Sequence, residues 1–293
     1  MVEGVMDKIK IITDTSSDID IKEAAENDIV LLPFSIVVDS KVYKEQYDLS
    51  KEEYWEVLNK CDEIPTTSQV SPQEFLDSYI ENYKKGFNKF IVVTINGTAS
   101  GTFNSANLAA GMFNEQYPNK AEFKFIDSKC YTALYGVPVL MGAKLIKEGK
   151  SFEEVFEFME NRIHRMRAYA YMTTLKFAKK SGRISILSAI VGDALGLKPI
   201  MKIYDRKVEV MAKTRGEKAA ISKVVELVKE DAFNVQDEDI ILVHGSNSEE
   251  TLLKIEEEIK TVLKPKSVKR IKLGCCITTN TGPETIGVIY YGK

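Results

Sequence analysis

The chain has 293 residues, room for two domains with separate cores, and its 44% hydrophobic and 28% charged residues are the balance of a globular protein. Its formal net charge of −3 lacks the basic excess that a nucleic-acid surface needs to neutralise phosphates. No apolar run approaches the ~20 residues of a bilayer span, so at most transient membrane contact is expected. The first residues place Glu3 and Asp7 before the first lysine and carry no long apolar core, unlike a secretion signal. Cys61, Cys130, Cys275 and Cys276 show no C-x-x-C spacing and read as reduced, mostly buried thiols of a cytoplasmic protein. His164 and His244 have no Cys or His neighbours, so no metal site is expected.

Taken in order, residues 10–14 predict a strand ending in the polar turn Thr13-Asp14-Thr15-Ser16-Ser17-Asp18, then a helix over 19–27. Short strands over 29–34 and 35–39 flank Pro33, and Ser50 caps an amphipathic helix over 51–60. A hydroxyl-rich stretch, Thr66-Thr67-Ser68-Gln69, lies between Pro65 and Pro72, and Ser71-Pro72 starts a helix through Tyr83. The β-branched run 90–95 predicts a buried strand that feeds the turn Gly97-Thr98-Ala99-Ser100-Gly101-Thr102 and a following helix. A strand over 123–128 and helices over 132–147 and 151–166 complete an N-terminal domain, 1–167. The alternation predicts a mostly parallel sheet flanked by helices.

Beyond it, 168–293 reads as a smaller α/β domain with a mixed sheet. Strands are expected over 168–173, 197–203, 208–212, 240–244, 268–273 and 285–291, with helices over 174–180, 216–231 and 249–263. The stretch 186–195 is unusually apolar. Mostly it reads as core helix, with Ile186, Ile190 and Leu195 as candidates to line a tunnel.

Three segments place hydroxyls or amides in turns shaped by Gly or Pro: 66–69, Ser100-Gly101-Thr102, and Thr279-Asn280-Thr281-Gly282-Pro283. None holds Lys, Arg, His, Asp or Glu, so no titratable partner stands near their hydroxyls for nucleophilic or acid–base chemistry. A Walker-type lysine and a G-x-G-x-x-G are both missing. Uncharged donors suit the holding of one small polar head. A phosphate cradle at Ser100-Gly101-Thr102, in an enzyme acting on a small phosphorylated substrate, is the competing reading, and a lipid-sensing regulator is a third.

These residues resemble the DegV family of bacterial fatty-acid-binding proteins. The likeness is carried by 12–19, by Thr67-Ser68-Gln69 with Ser71-Pro72, by 100–106, by Lys179-Lys180-Ser181-Gly182-Arg183-Ile184, by Leu197-Lys198-Pro199-Ile200, and by Thr281-Gly282-Pro283 with Gly287. Val70 stands where the family has a proline, Asn280 where it usually has His, and Glu284 where it has Gly.

The resemblance implies a two-domain carrier, without catalytic residues or a cofactor of its own, that buries a long-chain fatty acid between its domains. A separate kinase subunit, the catalytic subunit of a fatty acid kinase, would phosphorylate the bound carboxylate. Thr67, Ser68, Ser100, Gly101, Thr102, Asn280 and Thr281 fall where the family holds that carboxylate. Arg183 falls at the kinase contact, which Arg215 could join. An asparagine at 280 cannot become cationic, which alters the head-group electrostatics the resemblance implies.

Overall fold

The computed structural model describes residues 8–61, 63–174, 176–182 and 197–293. The elements run β1 (Ile9–Asp14), a 3-10 turn (Thr15–Ser17), α1 (Ile21–Glu26), β2 (Ile29–Leu32), β3 (Ser35–Val38), β4 (Lys41–Lys44), α2 (Lys51–Lys60), β5 (Thr66–Ser68), α3 (Pro72–Lys84), β6 (Lys89–Thr94), α4 (Thr102–Gln116), β7 (Glu122–Asp127), α5 (Ala133–Lys147) and α6 (Phe152–Arg165). They continue β8 (Met166–Tyr171), α7 (Lys176–Lys180), β9 (Leu197–Tyr204), β10 (Lys207–Arg215), α8 (Glu217–Asp231), a 3-10 turn (Val235–Asp237), β11 (Asp239–His244), α9 (Glu249–Val262), β12 (Ser267–Lys272), α10 (Cys275–Thr281) and β13 (Ile286–Tyr291).

The described strands form three sheets. The first, ordered β2-β1-β6-β7, is wholly parallel, as the βα alternation leads one to expect. Ile11, Ile12 and the run Phe90 to Val93 are almost completely buried, because helices cover both faces of a parallel sheet. Ser50, Ser71 and Ser151 each close a capping box with the Glu three residues on, which explains why α2, α3 and α6 start where the sequence places them.

The second sheet, ordered β10-β9-β8-β13-β11-β12, is mixed: only β11 and β12 pair in parallel. One face carries Tyr169, Tyr171, Ile200, Leu242 and Val288 into a core with α8 and α9. The opposite face, offset by one residue along each strand, looks toward the parallel-sheet half of the molecule.

Two features depart from the sequence-based expectation. The third sheet, β4-β3-β5, is antiparallel, and it turns Thr66-Thr67-Ser68 into a strand rather than an open turn. Residues Cys275–Thr281, expected to end in a Gly- and Pro-shaped turn, form the short helix α10. That helix begins against the first half of the chain: the backbone N–H of Gly274 donates to Asp18 and that of Cys276 to Glu45, at 2.8 and 2.9 Å.

Candidate functional site

In the parallel sheet, β1 leads to β2 on one side and β6 leads to β7 on the other. The chain reverses its winding between the ends of β1 and β6, where open α/β sheets characteristically form a ligand crevice. Asp14, the last residue of β1, organises this point. Its carboxylate accepts the N–H of Ile95 at 2.9 Å, the N–H of Ser16 at 3.0 Å and the hydroxyl of Tyr135 at 2.6 Å.

The crevice opens into a cavity of about 600 Å³ between the parallel-sheet half and the mixed sheet. Thr67, Ser68, Gln69, Ser100 and Gly101 line it from the first half of the chain, and Cys276, Ile277, Asn280 and Thr281 of α10 from the second. Gln69 and Gly101 are in close contact: a Cβ on Gly101 would lie 2.2 Å from Gln69 Oε1, so a larger residue there would displace the Gln69 amide. α10 lies against β3 and β5, which joins its polar end to the Thr67 strand.

Thr102 is fully buried and is not part of the cavity wall. Its hydroxyl lies 2.9 Å from that of Ser100, and its N–H donates to Ser100 Oγ at 3.3 Å. A Thr102 hydroxyl that donates to Ser100 leaves the Ser100 proton for a ligand, so Thr102 orients the donor.

On α10 the side chains bond back to the helix. Asn280 Nδ2 donates to Cys276 O at 2.7 Å, Thr281 to Ile277 O at 3.0 Å, and Thr279 to Cys275 O at 2.6 Å. Asn280 thus has one amide proton committed to its own helix, and its Oδ1 is buried without a partner.

Thr98, Tyr131, Thr132 and Thr285 add further polar groups, while the wall over the mixed sheet is mainly apolar, and cross-strand register explains its shape. Met201, Ala170, Gly287 and Val243 stand opposite one another on β9, β8, β13 and β11 and form one row across the sheet. Small residues at the two central positions leave a trough between the larger side chains. Ile203, Ala168 and Ile289 form the next row. Among the described residues, no Lys, Arg, His, Asp or Glu lines the cavity.

Charge sits one layer behind α10: Asp14 and Asp18 come from the polar turn at the end of β1, and Glu45, which no local pattern marks, joins them from the end of β4. Glu45 accepts the Thr15 hydroxyl at 2.6 Å as well as Cys276 N–H, and Asp18 accepts the Thr132 hydroxyl as well as Gly274 N–H. Burial pushes the Glu45 carboxyl up to about 7 and that of Asp14 up to about 6, and it raises Asp18 too, against the lowering effect of their hydrogen bonds. Lys51 reaches in to donate to the carbonyls of Asp18 and Lys272, at 3.1 and 3.0 Å.

His244 is buried, bonded through Nδ1 to Gly245 O at 2.8 Å, and is not among the cavity's lining residues. Arg215 is exposed at the end of β10. Arg183, Ile186, Ile190 and Leu195 lie outside the described residues.

A family model for DegV matches residues 8–293. The chain belongs to the DegV family. A DegV domain-containing protein of Caldanaerobacter subterraneus is 33% identical over 98% of this chain and 100% of its own. Among solved structures, a DegV family protein of Thermus thermophilus described by its fatty acid binding superposes with a TM-score of 0.87 at 26% identity, covering 98% of this chain and 100% of that one. The Fatty Acid Kinase (Fak) B3 protein of Streptococcus pneumoniae, loaded with linoleic acid, shares the fold with a TM-score of 0.83 at 23% identity, covering 98% and 100%. No helix among the described residues is long and apolar enough to cross a membrane.

Proposed function

We propose that this chain binds a long-chain fatty acid between its two domains, 1–167 and 168–293, and presents the carboxylate to a separate kinase subunit. One observation carries the reading: an apolar trough over the mixed sheet shares a cavity with hydroxyl-bearing loops and, among the described residues, no charged side chain. Burying ~15 methylenes at ~0.8 kcal/mol each offers on the order of 12 kcal/mol before ordering costs. Each hydrogen bond to a charged head adds roughly 1.5–3 kcal/mol. The tail supplies affinity and the head loops supply orientation.

Thr67, Ser68, Ser100 and the Gly101 turn hold the carboxylate, with Thr102 orienting Ser100 and with Asn280 and Thr281 closing the site from α10. The cavity's polar wall reaches the surface, since Ser68 and Gln69 are exposed, which suits presentation to a partner. Arg183 and Arg215 form the partner contact. The protein acts in the cytoplasm as a carrier, and the chemistry belongs to the kinase subunit. A small phosphorylated substrate would leave the Ala170–Gly287 trough without a role.

Native mass spectrometry of freshly purified protein tests the reading: a co-purified acyl chain is expected, and a protein that neither carries nor takes up one would overturn it. Ser100→Ala and Thr67→Ala are each expected to weaken fatty-acid retention about tenfold with an unchanged melting temperature, because each removes a donor from the head. Full occupancy in both variants would place the carboxylate elsewhere.

A further inference from the structure

The loop that carries Ser100 is braced from a direction the head site does not require. Asp127, the last residue of β7, is one-tenth exposed, and Oδ1 of its carboxylate accepts the N–H groups of Gly97 and Lys129, both at 2.9 Å. The fit is close, since a Cβ on Gly97 would lie 3.0 Å from the other carboxylate oxygen. From Gly97 the turn continues through Ser100, whose N–H donates to Asn96 O at 3.1 Å.

Asp127 Oδ2 faces the other half of the molecule. It accepts Arg206 Nη2 at 2.6 Å, while the Arg206 N–H donates to Lys129 O at 2.8 Å and Lys129 pairs with Asp205 at 3.5 Å. Asp205 and Arg206 are the two-residue turn of the β9–β10 hairpin, both with positive φ (36° and 66°), as a tight hairpin of this length requires. The same hairpin supplies Met201, Ile203 and Val208 to the acyl wall. One carboxylate thus holds the head-group loop with one oxygen and the tip of the acyl wall with the other.

We propose that this clasp couples the two ends of the ligand site, so that Arg206, which is not part of the cavity wall, is a positioning residue for acyl binding. The proposal rests on the fatty-acid reading of the cavity. Through Asp127, displacement of the hairpin by a bound tail is felt at the Gly97 turn and so at the Ser100 hydroxyl. A hairpin that served only as an independent wall would affect tail binding without regard to the head donor.

A double-mutant cycle separates the two, read as palmitate affinity of the delipidated full-length chain. Arg206→Ala is expected to weaken palmitate about tenfold in the wild-type background and less than about twofold in the Ser100→Ala background, because both variants disable the same donor. Arg206→Lys should restore part of the loss. Asp127→Asn keeps an acceptor for Gly97 but turns an amide N–H₂ toward Arg206, and it should match Arg206→Ala. The Arg206 side chain is 45% exposed, so its removal should leave the melting temperature nearly unchanged. Equal losses in both backgrounds, or no loss from Arg206→Ala, would overturn the clasp while leaving the acyl reading in place. A wild-type chain that takes up no palmitate would overturn the reading and the clasp with it.

Discussion

Ala170→Phe is expected to fold and to lose its fatty acid. The residue stands at the centre of the row that runs from Met201 to Val243, next to Gly287, and its side chain borders the trough. A phenyl ring there enters open space and fills the channel where the tail would lie. Displacing only ~4 methylenes forfeits about 3 kcal/mol, more than a hundredfold in affinity. Native mass spectrometry should find the variant empty, with a melting temperature at or above that of delipidated wild type. An occupied variant would move the tail off this face of the sheet.

Glu45→Gln is expected to flatten the dependence of stability on pH. Glu45 rises from an ordinary 4.5 to about 7 because it is fully buried, and Asp14 rises from 3.8 to about 6 for the same reason. The folded form therefore holds protons that the unfolded chain has already released. The burial cost is absent below about pH 4.5, grows as pH climbs, and is complete above about 7. For Glu45 alone it amounts to roughly 3 kcal/mol.

Wild type should thus lose stability between pH 5 and 8, the reverse of a salt-bridged carboxylate. Glutamine keeps an acceptor for Cys276 N–H and cannot ionise. The variant should melt about 5 °C above wild type at pH 8 and close to it at pH 5, measured by thermal unfolding. Parallel curves for the two proteins would show that Glu45 is not the group being titrated.

The regular frame was legible because local signals agreed with it. Apolar runs mark β1 and β6, serine caps mark α2, α3 and α6, and the βα alternation marks a parallel sheet. The edge strand β4 was missed because Lys41-Val42-Tyr43-Lys44 is short and largely exposed, with no buried face to reveal its period. α10 was missed for another reason. Its stretch is rich in threonine, and the groups that cap its first turn, Asp18 and Glu45, come from far away in the chain.

The candidate site was half legible. The hydroxyl-rich segments stand out, since Ser100 lies in a turn and Thr67 in the short strand β5, and neither stretch carries a charged residue. The apolar trough does not, because Ala170 and Gly287 acquire meaning only once β8 and β13 are paired. Of the acids behind α10, Asp14 and Asp18 share the polar turn at the end of β1, but only the fold brings Glu45 to them.

The capping of α10 bears on how the molecule comes apart. The helix belongs covalently to the second half of the chain, yet its first N–H groups end on carboxylates of the first half. Opening the joint would strip a buried helix end of its acceptors and leave each of two buried carboxyl groups with one donor fewer, a penalty borne by both halves at once. The halves should therefore unfold together, and calorimetry should record a single transition whose van't Hoff and calorimetric enthalpies agree. In a chain whose described strands form three sheets, that cooperativity would come from a helix of only seven residues.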